Sequence, residues 1–282
     1  MGQKDKIAGV LMMAATASLW SIAGLFIKVI DWNPFAIAGI RSFIASLVIL
    51  AFLRNPKINW SFPQVAAAVA NAVTMLLFVA ANKTTTAANA ILLQYLAPVF
   101  TAFIGAVLLK EKTRIEHWVA IFFVAVGMTI MFANKLDGGQ LFGDAIALTS
   151  AVTFSLYIVF MRMQKEGSPH ESNLLSQWIA AAVCLIVSLF LPMPQFTPKS
   201  VAAILVLGTV QIGIAAILMA YAIKRISAVS ANLIAVIEPV LNPVWVFLVL
   251  GEYPGMNTII GGTVILFAVT GVSVIGARRS MT

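Results

Sequence analysis

Apolar residues recur along this 282-residue chain in long runs that short polar segments separate. A helix that crosses the apolar part of a bilayer needs about 20 such residues at a rise of 1.5 Å each. The sequence therefore predicts an all-α integral membrane protein with ten transmembrane helices. The ten predicted spans are Ile7–Ile30, Pro34–Leu53, Phe62–Asn82, Ala87–Leu109, His117–Ala133, Leu141–Met163, Asn173–Leu191, Ser200–Ile223, Ser227–Leu250 and Asn257–Ala277.

The overall composition agrees with this pattern and excludes a soluble fold. Hydrophobic residues make up 61% of the chain and charged residues only 10%, with a mean hydropathy of +0.99. Soluble domains have roughly 45–50% apolar and about 25% charged residues. The first apolar run, Ile7–Ile30, is longer than the core of a signal peptide, so we interpret it as the first span.

Basic residues are distributed unevenly between the two sides of the predicted membrane. The formal net charge of +8 would suggest a nucleic-acid partner in a soluble protein, but here the basic residues occupy short loops. Cytoplasmic loops of membrane proteins are rich in Lys and Arg, so we predict that both termini are cytoplasmic and that no nucleic acid binds. This orientation places Lys4, Lys6, Arg54, Lys57, Lys110, Lys112, Arg114, Arg162, Lys165, Lys224, Arg225, Arg278 and Arg279 inside, and Lys83, Lys135 and Lys199 outside.

The two halves of the chain match each other when the sequence is shifted along itself. A shift of 134 residues aligns Gly9 with Gly143, Trp20 with Phe154, Ser21 with Ser155 and Lys28 with Arg162. A shift of 141 aligns Pro98 with Pro239, Val99 with Val240, Leu109 with Leu250 and Glu111 with Glu252. We predict two five-helix repeats, residues 1–135 and 136–282. Because five is odd, the second repeat is inverted, as in many secondary transporters.

These repeated segments resemble a known family. The run Ala87–Ala102 together with Leu109-Lys110-Glu111 is similar to the EamA-type family of the drug/metabolite transporter superfamily. The second half shows the counterpart from Ile237-Glu238-Pro239-Val240 to Leu250-Gly251-Glu252, and Trp20-Ser21, Lys28 and Arg41 match as well. The resemblance implies ten helices, a central cavity and export of amino acids, amines or related metabolites. The usual Gly-Glu pair of the fourth span is Lys110-Glu111 here, a departure at one turn.

Glu238 is the strongest candidate for a functional residue, because it falls near the middle of the ninth predicted span. An ionisable group is costly at that depth and usually functional. Glu238, Asn242 and Trp245 recur at helical spacing and share one face. Pro239 and Pro243 remove backbone donors and favour a break there. Two interpretations stay open: a substrate site or gate, and a structural lock between helices.

Arg41 is the candidate partner of Glu238. It lies about 10 Å below the outer end of the second span at 1.5 Å per residue, and a buried charge is expensive unless it is paired. We predict a charge pair with Glu238, with a substrate carboxylate as the alternative partner of Arg41. Lys28 and Arg162 lie near span ends, so we expect their side chains to extend to the membrane surface.

Polar and aromatic residues on other spans complete a predicted cavity for an amphipathic molecule. Gln94 shares a stripe with Pro98 and Thr101, and Asn71 lies on one face of the third span. Each aromatic residue considered alone could also be ordinary packing. The predicted cavity comprises Glu238, Asn242, Trp245, Gln94, Tyr95, Asn71, Trp20 and Tyr157. Because Pro98, Pro239 and Pro243 interrupt helical hydrogen bonding, we predict them as hinges.

Other chemistry has little support in the sequence. His117 and His170 lack partners at ligand spacing, so we expect no metal and no cofactor. The chain has no phosphate-binding Gly-rich loop and no Ser/His or paired-Asp constellation, which argues against an ATPase and an intramembrane enzyme. We predict a secondary transporter of small molecules in a bacterial-type cytoplasmic membrane, with protons as a candidate coupling ion. Exporters of cationic amines and lipid-carrier flippases remain alternatives.

The predicted orientation can be tested with reporters fused after Thr282. A reporter active only in the cytoplasm should work there, because the basic residues favour the inner side and an even number of spans returns the chain to it. A reporter active only in the periplasm should fail. The opposite pattern would disprove both the orientation and the inverted repeat.

Overall fold

The computed structural model describes residues 3–27, 29–133, 140–165, 168–251, 253 and 255–278. This part of the chain is built from helices joined by short turns. The helices are α1 (Gln3–Trp20), α2 (Ala23–Ile27), α3 (Pro34–Leu53), α4 (Phe62–Thr84), α5 (Ala87–Gln94), α6 (Ala97–Leu108), α7 (Ile115–Phe132), α8 (Leu141–Met163), α9 (Pro169–Ser188), α10 (Pro198–Val206), a π-helical segment (Leu207–Ile214), α11 (Ala215–Ile223), α12 (Ala228–Ala235), α13 (Ile237–Leu250) and α14 (Met256–Arg278).

These helices form ten spans that are long and apolar enough to cross a membrane, as the sequence predicted. The chain is therefore a multi-pass membrane protein. The seventh span differs from its predicted bounds, because it begins at Pro169 and not at Asn173. His170, Glu171 and Ser172 in its first turn are polar but buried, so hydropathy alone assigned them to the preceding loop.

Three spans are interrupted within their length. The first span breaks at Ser21 and Ile22, the fourth at Tyr95 and Leu96, and the ninth at Val236. Pro98 is the second residue of α6 and Pro239 the third of α13. Proline suits the first turn of a helix, where its missing N–H would have no intrahelical partner. The helix α13 continues through Pro243.

Spans that are distant in sequence pack closely against one another. The third span contacts the sixth and seventh, the second contacts the seventh and eighth, and the fifth contacts the tenth. The first span contacts the eighth and ninth. Large side chains such as Phe122 and Phe267 are exposed on the outside of this bundle, where the hydrocarbon of the membrane covers them.

Glycines allow the closest of these contacts, and one contact is reciprocal. A Cβ atom on Gly127 would lie 2.8 Å from the carbonyl oxygen of Gly261, and a Cβ atom on Gly261 would overlap the carbonyl oxygen of Gly127. Because neither glycine carries a side chain, the backbones of the fifth and tenth spans can approach each other closely.

The turn after the fourth span and the turn after the ninth span have similar backbone geometry. Lys110 adopts a left-handed φ of 55° and Gly251 a φ of 71°, and the two positions differ by the shift of 141. A left-handed backbone costs an L-residue about 1–2 kcal/mol, whereas glycine adopts it readily. Lys110 therefore keeps the turn geometry of its glycine counterpart at some cost in stability.

The glycine contact between the fifth and tenth spans predicts a sharp effect of added side-chain volume. Gly127→Val and Gly261→Val should each destabilise the folded protein by about 1–3 kcal/mol, because neighbouring backbone cannot yield. Thermal unfolding in detergent provides the measurement. The control is Gly271→Val, since a Cβ atom there meets nothing within 4 Å. Equal unfolding temperatures in all three variants would contradict the contact.

Candidate functional site

Glu238 lies directly after the break in the ninth span, where it is the second residue of α13. Its Oε2 atom accepts a hydrogen bond of 2.7 Å from the hydroxyl of Tyr95. Tyr95 itself lies at the break in the fourth span, and both side chains are half-buried. This hydrogen bond therefore joins the two interrupted spans that the predicted repeat relates to each other.

Arg41 does not form the predicted direct pair with Glu238 in this structure. The ion pairs of 4.0 Å or less in the described part are Arg114 with Glu116 and Arg162 with Glu111. The Nε atom of Arg41 is buried and has no hydrogen-bond partner among the described residues. Arg41 still interacts electrostatically with Glu238 and with Cys184. The nearest polar partner of the carboxylate is thus Tyr95.

The other two residues on the predicted face of the ninth span contact the first span. The Nε1 atom of Trp245 donates a hydrogen bond of 2.7 Å to the Oγ atom of Ser21, at the break of the first span. Asn242 packs over Gly24, where a Cβ atom would lie 2.8 Å from its Oδ1 atom. Ser21 was not among the predicted site residues. Its alignment with Ser155 in the repeat could have marked it as a candidate.

An aromatic row connects the first and sixth spans. The ring centroids of Trp20 and Phe154 are 6.3 Å apart, and those of Phe154 and Tyr157 are 6.1 Å apart. Trp20 and Phe154 are half-buried. Tyr157 is only 3% exposed, and its hydroxyl donates a hydrogen bond of 2.7 Å to Asn173 of the seventh span. In this conformation Tyr157 packs helices together.

The two amides predicted for the cavity bridge neighbouring spans. Gln94 donates a hydrogen bond of 3.0 Å to Ser150, and Asn71 donates one of 2.7 Å to Ser176. Asn71 is buried, whereas Gln94 is half-buried. The structure therefore divides the predicted cavity residues into a buried set, Asn71 and Tyr157, and a half-buried set. The half-buried set comprises Glu238, Tyr95, Gln94, Asn242, Trp245 and Trp20.

A second polar contact between the fourth and ninth spans was not predicted. Asn232 is fully buried and donates a hydrogen bond of 2.7 Å to the Oγ1 atom of Thr101. The Oδ1 atom of Asn232 has no partner in the part of the chain that the structure describes. Thr101 was recognised in the stripe with Gln94, but a single asparagine in an Ala-rich helix gave no comparable signal.

Arg162 contradicts the expectation that it would extend to the membrane surface. Its Nε atom donates a hydrogen bond of 2.8 Å to Glu111, and its side chain is only 13% exposed. The carboxylate of Glu111 holds the guanidinium inside the bundle. Hydropathy along the chain could not reveal this partner. Lys28, for which the same expectation was made, lies outside the described residues.

Two apolar grooves lie on the seventh span, and none of the predicted cavity residues lines either of them. One has a volume of about 480 Å³ and is lined mainly by residues around Leu185 and Phe196. The other has about 320 Å³ and lies between Trp60 and Trp178. Among the described residues, no group of three or more His, Cys, Asp or Glu side chains could hold a metal ion.

Ten spans, with an acidic side chain where two interrupted spans meet, are the architecture of a membrane transport protein. Comparison with protein families identifies the family of transporters. The model of the EamA-like transporter family matches residues 7–133 and again residues 141–274. The chain belongs to the EamA-like transporter family. Because the members of this family are transporters, the chain is a transporter and not an enzyme.

Individual relatives agree with this assignment. An uncharacterized transporter of Archaeoglobus fulgidus is 24% identical over 93% of this chain and 94% of its own length. One of Clostridium kluyveri is 33% identical over 72% of this chain and 67% of its own length. Human solute carrier family 35 member G1 is 25% identical over 65% of this chain and 54% of its own. A solved crystal structure covers 97% of this chain and 99% of its own, with a TM-score of 0.85 at 20% identity, which supports the fold.

The breaks before Pro98 and Pro239 predict that these prolines act as hinges. Pro98→Ala and Pro239→Ala restore a backbone donor in each interrupted span, which should stiffen the span and slow transport several-fold with little loss of stability. Transport rates in vesicles and unfolding temperatures in detergent measure the two effects. The sequence also predicted a hinge at Pro243, but α13 continues through that residue without a break, so Pro243→Ala is the matched control. Parental rates in both hinge variants would exclude the hinge role.

Proposed function

We propose that this chain exports small metabolites, with amino acids or related amphipathic compounds as its substrates, by alternating access. The observation that carries the proposal is the hydrogen bond between Tyr95 and Glu238. It joins the breaks of two interrupted spans at mid-membrane, where transporters of inverted-repeat design bind their substrates. The family membership supports transport, and the basic residues of the short loops support a bacterial-type cytoplasmic membrane.

The charges near this bond favour a substrate that has both an amino group and a carboxylate. Glu238 offers an acceptor to a cation, and the half-helix that begins beside it presents its positive end to the same region. The Nε donor of Arg41 is buried and has no hydrogen-bond partner in the part of the chain that the structure describes. A buried donor left without a partner costs about 1–3 kcal/mol. A substrate carboxylate at Arg41 and an amino group at Glu238 would satisfy both side chains.

The half-buried aromatic residues suit the apolar part of such a substrate. Trp20 and Phe154 form one edge-to-face pair near the first-span break, and Trp245 donates a hydrogen bond to Ser21 at that break. Ligand sites commonly combine apolar walls with a few polar anchors. An amphipathic amino acid fits this combination better than a small, strongly hydrated ion does.

Glu238 also makes a proton a plausible coupling ion. A carboxyl group away from bulk water can bind either a proton or a substrate amine, and the two then compete for one position. The hydroxyl of Tyr95 donates a hydrogen bond to this carboxylate. We infer that protonation of Glu238 releases the amine, so that inward proton movement drives export.

The proposal can be tested with purified protein in vesicles. Loss of a charged hydrogen bond costs about 1.5–3 kcal/mol, so Arg41→Gln and Glu238→Gln should each weaken the apparent affinity for amino acids roughly tenfold or more. Arg41→Gln should impair amino acids but spare the corresponding decarboxylated amines. Glu238→Gln should impair both and remove the acceleration by a proton gradient. Glu238→Asp and Tyr95→Phe should give intermediate effects.

A peripheral exchange serves as the control for these variants. Arg114→Gln alters an ion pair at the end of the bundle whose arginine is exposed to solvent, and this variant should transport like the parent. Amines transported in preference to amino acids by the parent protein would favour an amine exporter. Unchanged rates and pH profile in Glu238→Gln would remove this residue from the site and leave the stripe around Gln94 as the alternative.

A further inference from the structure

A compact polar cluster lies where the fourth and sixth spans end and the ninth span begins. Glu111 follows the fourth span, and its Oε1 atom accepts a hydrogen bond of 2.8 Å from the Nε atom of Arg162, near the end of the sixth. The Oε2 atom of Glu111 accepts a second hydrogen bond of 3.1 Å from the backbone N–H of Ala228. Both carboxylate oxygens are thus used. We call this end of the bundle, which also holds Lys110, Lys112, Arg114, Lys165, Lys224 and Arg225, the basic face.

The other side of the cluster holds the end of the eighth span. The Nη1 atom of Arg162 donates hydrogen bonds of 2.9 Å to the carbonyl oxygens of Ile223 and Lys224. These carbonyls close α11, and Ala228 opens α12. The cation therefore lies at the negative end of one helix and the carboxylate at the positive end of the next, which is the favourable arrangement for both. Together they clamp the turn between the eighth and ninth spans.

This clamp crosses the predicted division between the halves of the chain. Glu111 belongs to residues 1–135, whereas Arg162, Ile223, Lys224 and Ala228 belong to residues 136–282. The first span presses on the same turn, because a Cβ atom on Gly9 would lie 2.6 Å from the Cβ atom of Arg225. Any motion that separates the halves at the basic face has to break the bonds of Glu111.

We propose that Glu111 and Arg162 form a latch that closes the basic face, and that the latch opens whenever the transporter admits substrate from that side. The proposal rests on the alternating access proposed above. The latch is partly shielded from water, with side-chain exposures of 25% for Glu111 and 13% for Arg162, so its bonds are stronger than those of a surface pair. Water that enters an opening path weakens them.

The first test measures access to a buried position behind the latch. Ala231 is one turn deeper than Ala228 and fully buried. Ala231→Cys is introduced into a Cys184→Ala background, because Cys184 is the only cysteine of the chain. A membrane-impermeant maleimide is then applied from the basic face. Glu111→Gln and Arg162→Gln should each increase the labelling rate about tenfold, the size expected when a charged hydrogen bond is lost.

The matched control is Arg114→Gln. Arg114 pairs with Glu116 at 3.8 Å on the same face, but both residues belong to the beginning of the fifth span. This change should leave labelling unaltered. Unaltered labelling in the Glu111 and Arg162 variants as well would overturn the latch. A lower unfolding temperature without faster labelling would also overturn it, because the cluster would then be a static brace.

The second test closes the latch covalently. Glu111→Cys and Arg162→Cys are combined in the Cys184→Ala background and treated with a short, reducible bifunctional thiol reagent. Transport should stop after cross-linking and return after reduction, while the reagent should not change the rate of either single cysteine variant. Undiminished transport by the cross-linked protein would refute the latch. Labelling needs no substrate, so faster labelling in a protein that moves no tested amino acid would leave the latch standing and refute the proposed substrate class.

Discussion

The absence of water from the membrane interior is the constraint on which this structure depends. A backbone N–H or carbonyl group without a partner there costs several kcal/mol, which normally enforces continuous helices. Three spans break this rule, and tight turns keep most of the backbone bonded, as when the N–H of Val236 reaches the carbonyl oxygen of Leu233 over 3.2 Å. The breaks survive because neighbouring spans supply polar side chains at the same depth.

The compensating side chains explain why the polar residues cluster where they do. Trp245 donates to Ser21 at the first break, and Ser155 donates to the carbonyl oxygen of Ala97 just beyond the second over 2.8 Å. Glu238 and Tyr95 satisfy each other between the second and third breaks. The interrupted helices thus account for the clustering of these polar side chains. In the proposed function, the same side chains also contact substrate.

The sequence was sufficient for the ten spans, because long apolar runs are the strongest pattern that a membrane protein offers. It also identified Glu238, since an acidic residue in such a run stands out. It did not identify Tyr95 as the partner of Glu238 in place of Arg41. Spacing along one helix gives depth, but the rotation of each helix about its axis depends on packing with spans that are distant in sequence. The same limit applies to Tyr157, whose aromatic character suited a cavity although its hydroxyl bonds Asn173.

Arg41 and Arg162 illustrate how buried arginines acquire different roles. Both belong to spans, and a charge taken from water is expensive unless other groups accept its hydrogen bonds. Arg162 has a carboxylate and two helix-end carbonyls around it, so it stabilises the arrangement that the structure shows. The Nε donor of Arg41 is buried and has no partner among the described residues, so its burial is not offset in the same way. A ligand that accepts a hydrogen bond from such a donor gains the full free energy of that bond. The contrast therefore supports a substrate-binding role at Arg41 and a gating role at Arg162, within one bundle and by one electrostatic rule.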